Sequence, residues 1–107
     1  MYWVYIIYSE SSDMYYVGFS DDPDRRIIEH NVSDRKTFTS KHRPWIMRAK
    51  FLVGSSRSEA MLVEKYIKKR KSRKLIETII AEQTNSIYIE KLKALALLVR
   101  VPSYGRD

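Results

Sequence analysis

Two runs of aromatic and β-branched residues, YWVYIIY at 2–8 and MYYVGF at 14–19, flank the polar stretch ESSD at 10–13. Side chains of this kind suit a pleated, half-buried surface, and a short polar break between two such runs reverses the chain. The pair therefore predicts an antiparallel hairpin at the very start of the chain. With 107 residues, the rest of the molecule must be built around that hairpin as one domain.

Beyond residue 19 the chain alternates between helix and strand signals. In SDDPDRRIIEHN, Asp22 can cap a helix, Pro23 falls at its first position and Asp24 suits the positive end of its dipole. The spacing predicts a helix from Pro23 to about Asn31, with Ile27 and Ile28 anchoring it on the sheet. Residues 32–44 read as a polar, basic connection ending at a proline, and WIMRAKFLV at 45–53 reads as a third strand. Gly54-Ser55-Ser56 ends that strand, and Ser56 or Ser58 can cap a helix through about Lys71 with Ala60, Val63, Tyr66 and Ile67 facing the core. A second amphipathic helix is expected at 73–82 on Leu75, Ile76, Ile79 and Ile80. A last one is expected over 87–99 on Ile89, Leu92, Leu95, Ala96 and Val99, with VPSYGRD as an irregular tail. The fold class is α+β: a small three-stranded antiparallel sheet flanked by helices, in the order β-β-α-β-α-α plus a C-terminal helix. Residues 1–83 form the expected core, and 84–107 an extension packed on the same domain.

Charge narrows the partner. Twenty Lys and Arg against thirteen Asp and Glu leave a net charge of +7, which favours a polyanion such as nucleic acid. Cysteine is absent, so disulfides, thiolate zinc sites and a cysteine nucleophile are excluded, and only His30 and His42 supply imidazole. No apolar run approaches the length needed to span a bilayer, and no basic segment precedes the first apolar stretch. The expected partner is not a membrane, and the expected location is cytoplasmic.

Several polar groups stand against predicted core elements. Tyr5 and Tyr16 sit mid-strand in the two halves of the hairpin. Arg26 and His30 are four apart and share a helix face, where they could bind a phosphate and handle a proton. Glu64 borders the apolar stripe of its helix, away from the lysine face of Lys65, Lys68 and Lys69. A carboxylate at a core boundary needs a partner, either a hard divalent cation or a neighbouring Lys or Arg. The run KKRKSRK, with Lys68, Lys69, Arg70, Lys71, Arg73 and Lys74, could track a phosphate backbone or simply form a solvated helix junction.

VYI at 4–6 followed by YVG at 16–18 resembles the paired tripeptides of the GIY-YIG nucleases. DPDRRIIEHN resembles the helix that carries the family's arginine and downstream histidine or tyrosine. KTFTSKHRPW resembles its Phe-Thr…Pro-Trp stretch, and SRSEAMLVEKYIKKRKS at 56–72 the helix with the metal-binding glutamate. The likeness covers about residues 2–80 and extends to the N-terminal nuclease domain of the excision-repair nuclease C subunit. It implies a metal-dependent endonuclease acting on DNA, with RNA left open, in a setting such as DNA repair, and with Mg²⁺ as cofactor and Mn²⁺ as the alternative. It assigns Tyr5, Tyr16, Arg26 and His30 to the catalytic set and Glu64 to the metal; Arg25 fits the arginine's offset less well. Which of Tyr5, Tyr16 and His30 is the base stays open. Val4 stands where the family has glycine, and Phe19 where some members carry lysine, while Asn85 reads as a cap or turn. Specificity would come from DNA structure or from a protein partner. The rival readings are a binding module of the same fold with weak catalysis, and a protein-interaction domain.

Overall fold

The computed structural model describes residues 1–99; the tail 101–107, expected to be irregular, lies outside the described residues. The elements are β1 (Tyr2–Ser9), β2 (Met14–Ser20), α1 (Pro23–Val32), β3 (Trp45–Gly54), α2 (Arg57–Arg70), α3 (Arg73–Glu82) and α4 (Ser86–Val99), with one 3-10 turn at Thr39–His42 before β3. The strands form one antiparallel sheet in the order β2-β1-β3.

β1 is the central strand, paired along both edges, and helices pack on both of its faces, so Val4, Tyr5, Ile6 and Ile7 are all buried. Alternation then divides the core in two. Val4 and Ile6 join Val17, Phe51 and Val53 beneath α2, α3 and α4, which contribute Ala60, Val63, Ile67, Ile79, Ile89, Leu92 and Ala96. Tyr5 and Ile7 point the other way, toward Trp45, with Tyr16, Ile27 and Met47 around them. The larger cluster holds the fold together, and the smaller one carries the polar side chains of interest.

The helices start where the sequence marks them. Asp22 Oδ1 accepts from Arg25 N (3.1 Å), Ser56 Oγ from Glu59 N (3.1 Å) and Ser72 Oγ from Leu75 N (3.0 Å), each satisfying an otherwise orphaned first-turn amide. Asn85 Oδ1 accepts from the amides of Ile87 and Tyr88 at the start of α4. Its role is that of a cap.

Two expectations about apolar stripes are corrected. Ile28 is 60% exposed; α1 turns Ile27 and His30 to the sheet instead, and Ile28 lies about a hundred degrees round the helix from Ile27. Leu95 and Val99 are exposed as well. α4 packs chiefly on α2 and α3, and Ile89, Leu92 and Ala96, with Tyr88 partly buried beside them, are what it brings to the core.

Candidate active site

The hairpin register decides where the phenols go. Tyr5 pairs with Gly18, and Ile7 with Tyr16, so both tyrosines project from the α1 face of the sheet, two residues apart along it. The Tyr5 ring lies flat across β2 at Gly18, where any Cβ would overlap its phenol. Glycine is required there by close approach, since its backbone conformation is an ordinary extended one. The sequence shows the glycine of YVG but not what it accommodates.

His30 meets both tyrosines. Its Nε2 is 2.8 Å from the Tyr5 hydroxyl, and its ring stands edge-on to Tyr16 at a centroid distance of 5.5 Å. On the far side Nδ1 is 2.8 Å from Thr39 Oγ1. With one partner on each nitrogen, a histidine only 3% exposed keeps its hydrogen bonds satisfied while neutral. Thr39 comes from the 3-10 turn, and the Trp45 indole N–H fixes that turn by donating to the Thr39 carbonyl (2.7 Å). The end of α1 is clamped in turn. Asn31 exchanges two hydrogen bonds with the Trp45 backbone, and Arg43 donates to the carbonyls of His30 and Ser33. Sequence reasoning missed Thr39 and these clamps, although the FTSKHRPW segment contains Thr39, Arg43 and Trp45.

Burial shapes the ionisation of both members of the pair. The Tyr5 phenol is pushed well above the usual tyrosine range by desolvation; the Arg26 guanidinium opposes the rise, whereas Tyr16, Glu64 and Glu29 add to it. His30 is pushed down to about 4, first by burial and then by Arg26, with Arg43 adding to the fall and Glu29 opposing it. Both groups are neutral near pH 7. Because the folded pKa of His30 lies below its unfolded value of about 6.5, the unfolded chain takes up the proton first as pH falls. Stability should be level above about pH 6.5 and decline from there to about pH 4, by up to about 3 kcal/mol. Urea unfolding at pH 7, 5.5 and 4.5 checks this, with His30→Gln losing that part of the slope that the carboxylates do not supply.

Arg26 sits one helical turn before His30, and its only ion pair among the described residues is with Glu29 (3.2 Å) at the surface. Such pairs contribute little, so its guanidinium is available to an incoming anion. Arg25 is drawn outward to Asp21 and Glu29. Glu64 approaches from α2, directly after the buried Val63, and its side chain is 13% exposed. Its one ionic partner among the described residues is Lys68, at 3.4 Å, whose Nζ also lies 4.7 Å from the centre of the Tyr16 ring. Since Tyr16 faces α1 while α2 packs on the opposite face, Lys68 reaches round the open edge of β2.

The basic run is not one patch. Lys68, Lys71 and Arg73 border a cleft beside Met14 and Ile76, whereas Lys69 and Arg70 line a groove toward α4. Arg73 is further committed to Asp13 (2.7 Å) and Glu77 (3.3 Å). Of the run, Lys68 is the member brought to Tyr16.

A family model for the GIY-YIG catalytic domain matches residues 1–77. The chain belongs to the GIY-YIG family. It is thus a member of a nuclease family, and the match takes in β1 through the first half of α3. α4 lies beyond the matched residues yet packs into the same core. No curated protein sequence matches the chain.

GIY-YIG nucleases generally depend on a metal, so the donor set bears on whether this chain could hold one. No cluster of three His, Asp or Glu side chains occurs among the described residues. A single largely buried carboxylate, paired only loosely, fits a hard ion that keeps most of its water and takes its remaining ligands from substrate. It does not fit an ion caged by protein. No helix among the described residues is long and apolar enough to cross a membrane.

Proposed function

We infer that this GIY-YIG domain is an endonuclease that hydrolyses phosphodiester bonds in DNA with a divalent ion, Mg²⁺ first and Mn²⁺ second, held by Glu64. The observation that carries this reading is the position of the Tyr5 phenol. It is hydrogen-bonded to His30 and lies within electrostatic reach of Arg26, Tyr16 and Glu64 at once. A base, an anion-binding cation and an ion ligand around one oxygen are what in-line attack of water on a phosphodiester needs.

An ion bound at Glu64 would supply Lewis acidity to the phosphate and the leaving oxygen. The protein's own groups do the rest. Buried Tyr5 is a poor phenolate, and His30 on its own is a weak base, so neither ionises readily alone. Coupled, they avoid a free phenolate: Tyr5 takes the proton of the attacking water as its own passes to His30 Nε2, and the positive charge comes to rest on the imidazole. His30 then carries its first proton on Nδ1, facing Thr39 Oγ1. Arg26 leaves Glu29 for the phosphoryl oxygens, whose negative charge also favours a protonated His30. Tyr16, packed edge-on against His30, orients the water.

Lys68 and Lys71, which border one cleft, would hold the neighbouring backbone phosphates through charge alone, with Lys69, Arg70, Arg73 and Lys74 as further contributors. That mode of contact reads no bases, so the substrate is a DNA structure, as in repair, or a site chosen by a protein partner. Residues 1–83 serve as the nuclease core and 84–107 as its extension, in a cytoplasmic enzyme. The test is cleavage of supercoiled, flap and branched DNA by wild type and Glu64→Gln, in Mg²⁺ and in chelator. Wild type should cut in Mg²⁺ and stop with chelator; equal cutting by both proteins would overturn the metal assignment.

A further inference from the structure

We propose that Lys68 is the resident counter-ion of the metal site: in the metal-free protein its ammonium neutralises Glu64, and it withdraws to the face of Tyr16 when a divalent ion binds. The proposal rests on the reading of Glu64 as the ion's ligand and adds what that reading leaves out, namely what the carboxylate does without the ion.

Glu64 is too covered to go unpaired. A carboxylate with 13% of its side chain exposed loses most of its hydration, and a nearby positive charge must offset that loss. Lys68, one helical turn on, is the cation that the structure puts there. The pair is loose, however. At 3.4 Å it is longer than the 2.7–2.9 Å of a charge-assisted hydrogen bond, so a stronger cation can displace it at small cost. A second resting place is already in contact: Nζ lies 4.7 Å from the Tyr16 ring centroid, within the range of a cation–π interaction. The ammonium can therefore give up the carboxylate without leaving the site or losing all its partners. An ammonium and a divalent cation repel at a shared carboxylate, so the two compete. This sets Lys68 apart from Lys69 and Arg70, which face another groove, and from Arg73, which pairs with other carboxylates.

Competition gives a direction that a supporting role would not. Lys68→Met keeps the aliphatic stem and removes the charge; Lys68→Gln does the same with a polar end, should the methionine variant fold poorly. Mn²⁺ binding is read by titration calorimetry on the full chain without DNA, alongside thermal unfolding without metal. Either variant should bind Mn²⁺ about tenfold more tightly than wild type. Each should also unfold at a lower temperature in the absence of metal and gain more from saturating Mn²⁺, whereas Lys68→Arg stays near wild type. If both variants bind Mn²⁺ as wild type does, or more weakly, Lys68 does not compete for Glu64 and the proposal fails while the metal reading stands. If wild type binds Mn²⁺ no better than Glu64→Gln, the metal reading fails and takes the proposal with it.

Discussion

Gly18→Ala should lower the unfolding free energy by about 2–3 kcal/mol, a drop of roughly 10 °C in melting temperature, and abolish most activity as well. The added methyl would occupy the space of the Tyr5 phenol. Tyr5 has no nearby alternative, because β1 is the central strand and its ring is enclosed by the Trp45 cluster. Either the hairpin must spread or the ring must leave its place. Spreading costs pairing with β2; leaving costs the hydrogen bond to His30 and orphans a buried imidazole nitrogen. Urea unfolding combined with a cleavage assay separates these losses from a simple surface change. A variant as stable and as active as wild type would show that Tyr5 does not rest on Gly18.

Tyr5→Phe isolates the chemistry from the packing. Only the hydroxyl is removed, and the ring keeps its seat over Gly18. Stability should fall by about 1–2 kcal/mol, since His30 Nε2 loses its partner in a buried place. The cleavage rate should fall by about 10³, within the span that removal of a positioned acid–base group produces. DNA affinity should be unchanged, because the hydroxyl is assigned to the attacking water and not to the phosphates, and Arg26 and the lysines remain. Single-turnover cleavage beside an equilibrium binding titration gives both numbers. A loss of binding equal to the loss of rate would instead mark Tyr5 as a purely structural residue.

The hairpin was legible in the sequence because two alternating aromatic runs and a polar turn admit little else. The starts of α1 and α2 were legible too, since Asp22 and Ser56 are capping residues whose chemistry is local; that of α3 was legible from its apolar stripe, and its cap, Ser72, was not singled out. Where a side chain's surroundings are set by distant segments, the sequence was silent or misleading. Ile28 was expected against the sheet on hydrophobicity alone, but α1 instead buries His30, which distant Tyr5 and Thr39 keep hydrogen-bonded. The turn at Thr39–His42 has no apolar period to betray it, and it is tied down by Trp45 beyond it. Gly18 showed its place in a motif but not its purpose, which depends on cross-strand register. Lys68 was hidden among like charges; only the course of α2 along the open edge of β2 sets it apart from its neighbours.

A nuclease site that works through an ion at Glu64 stands at the centre of these proposals. Its most direct measurement is the single-turnover rate of DNA cleavage in Mg²⁺ by wild type and by Glu64→Gln, each first shown to be folded. The predicted result is Mg²⁺-dependent strand cutting by wild type and a rate at least about 1,000-fold lower in the variant. Cutting at equal rates by the two proteins, or by wild type in the presence of chelator, would contradict it.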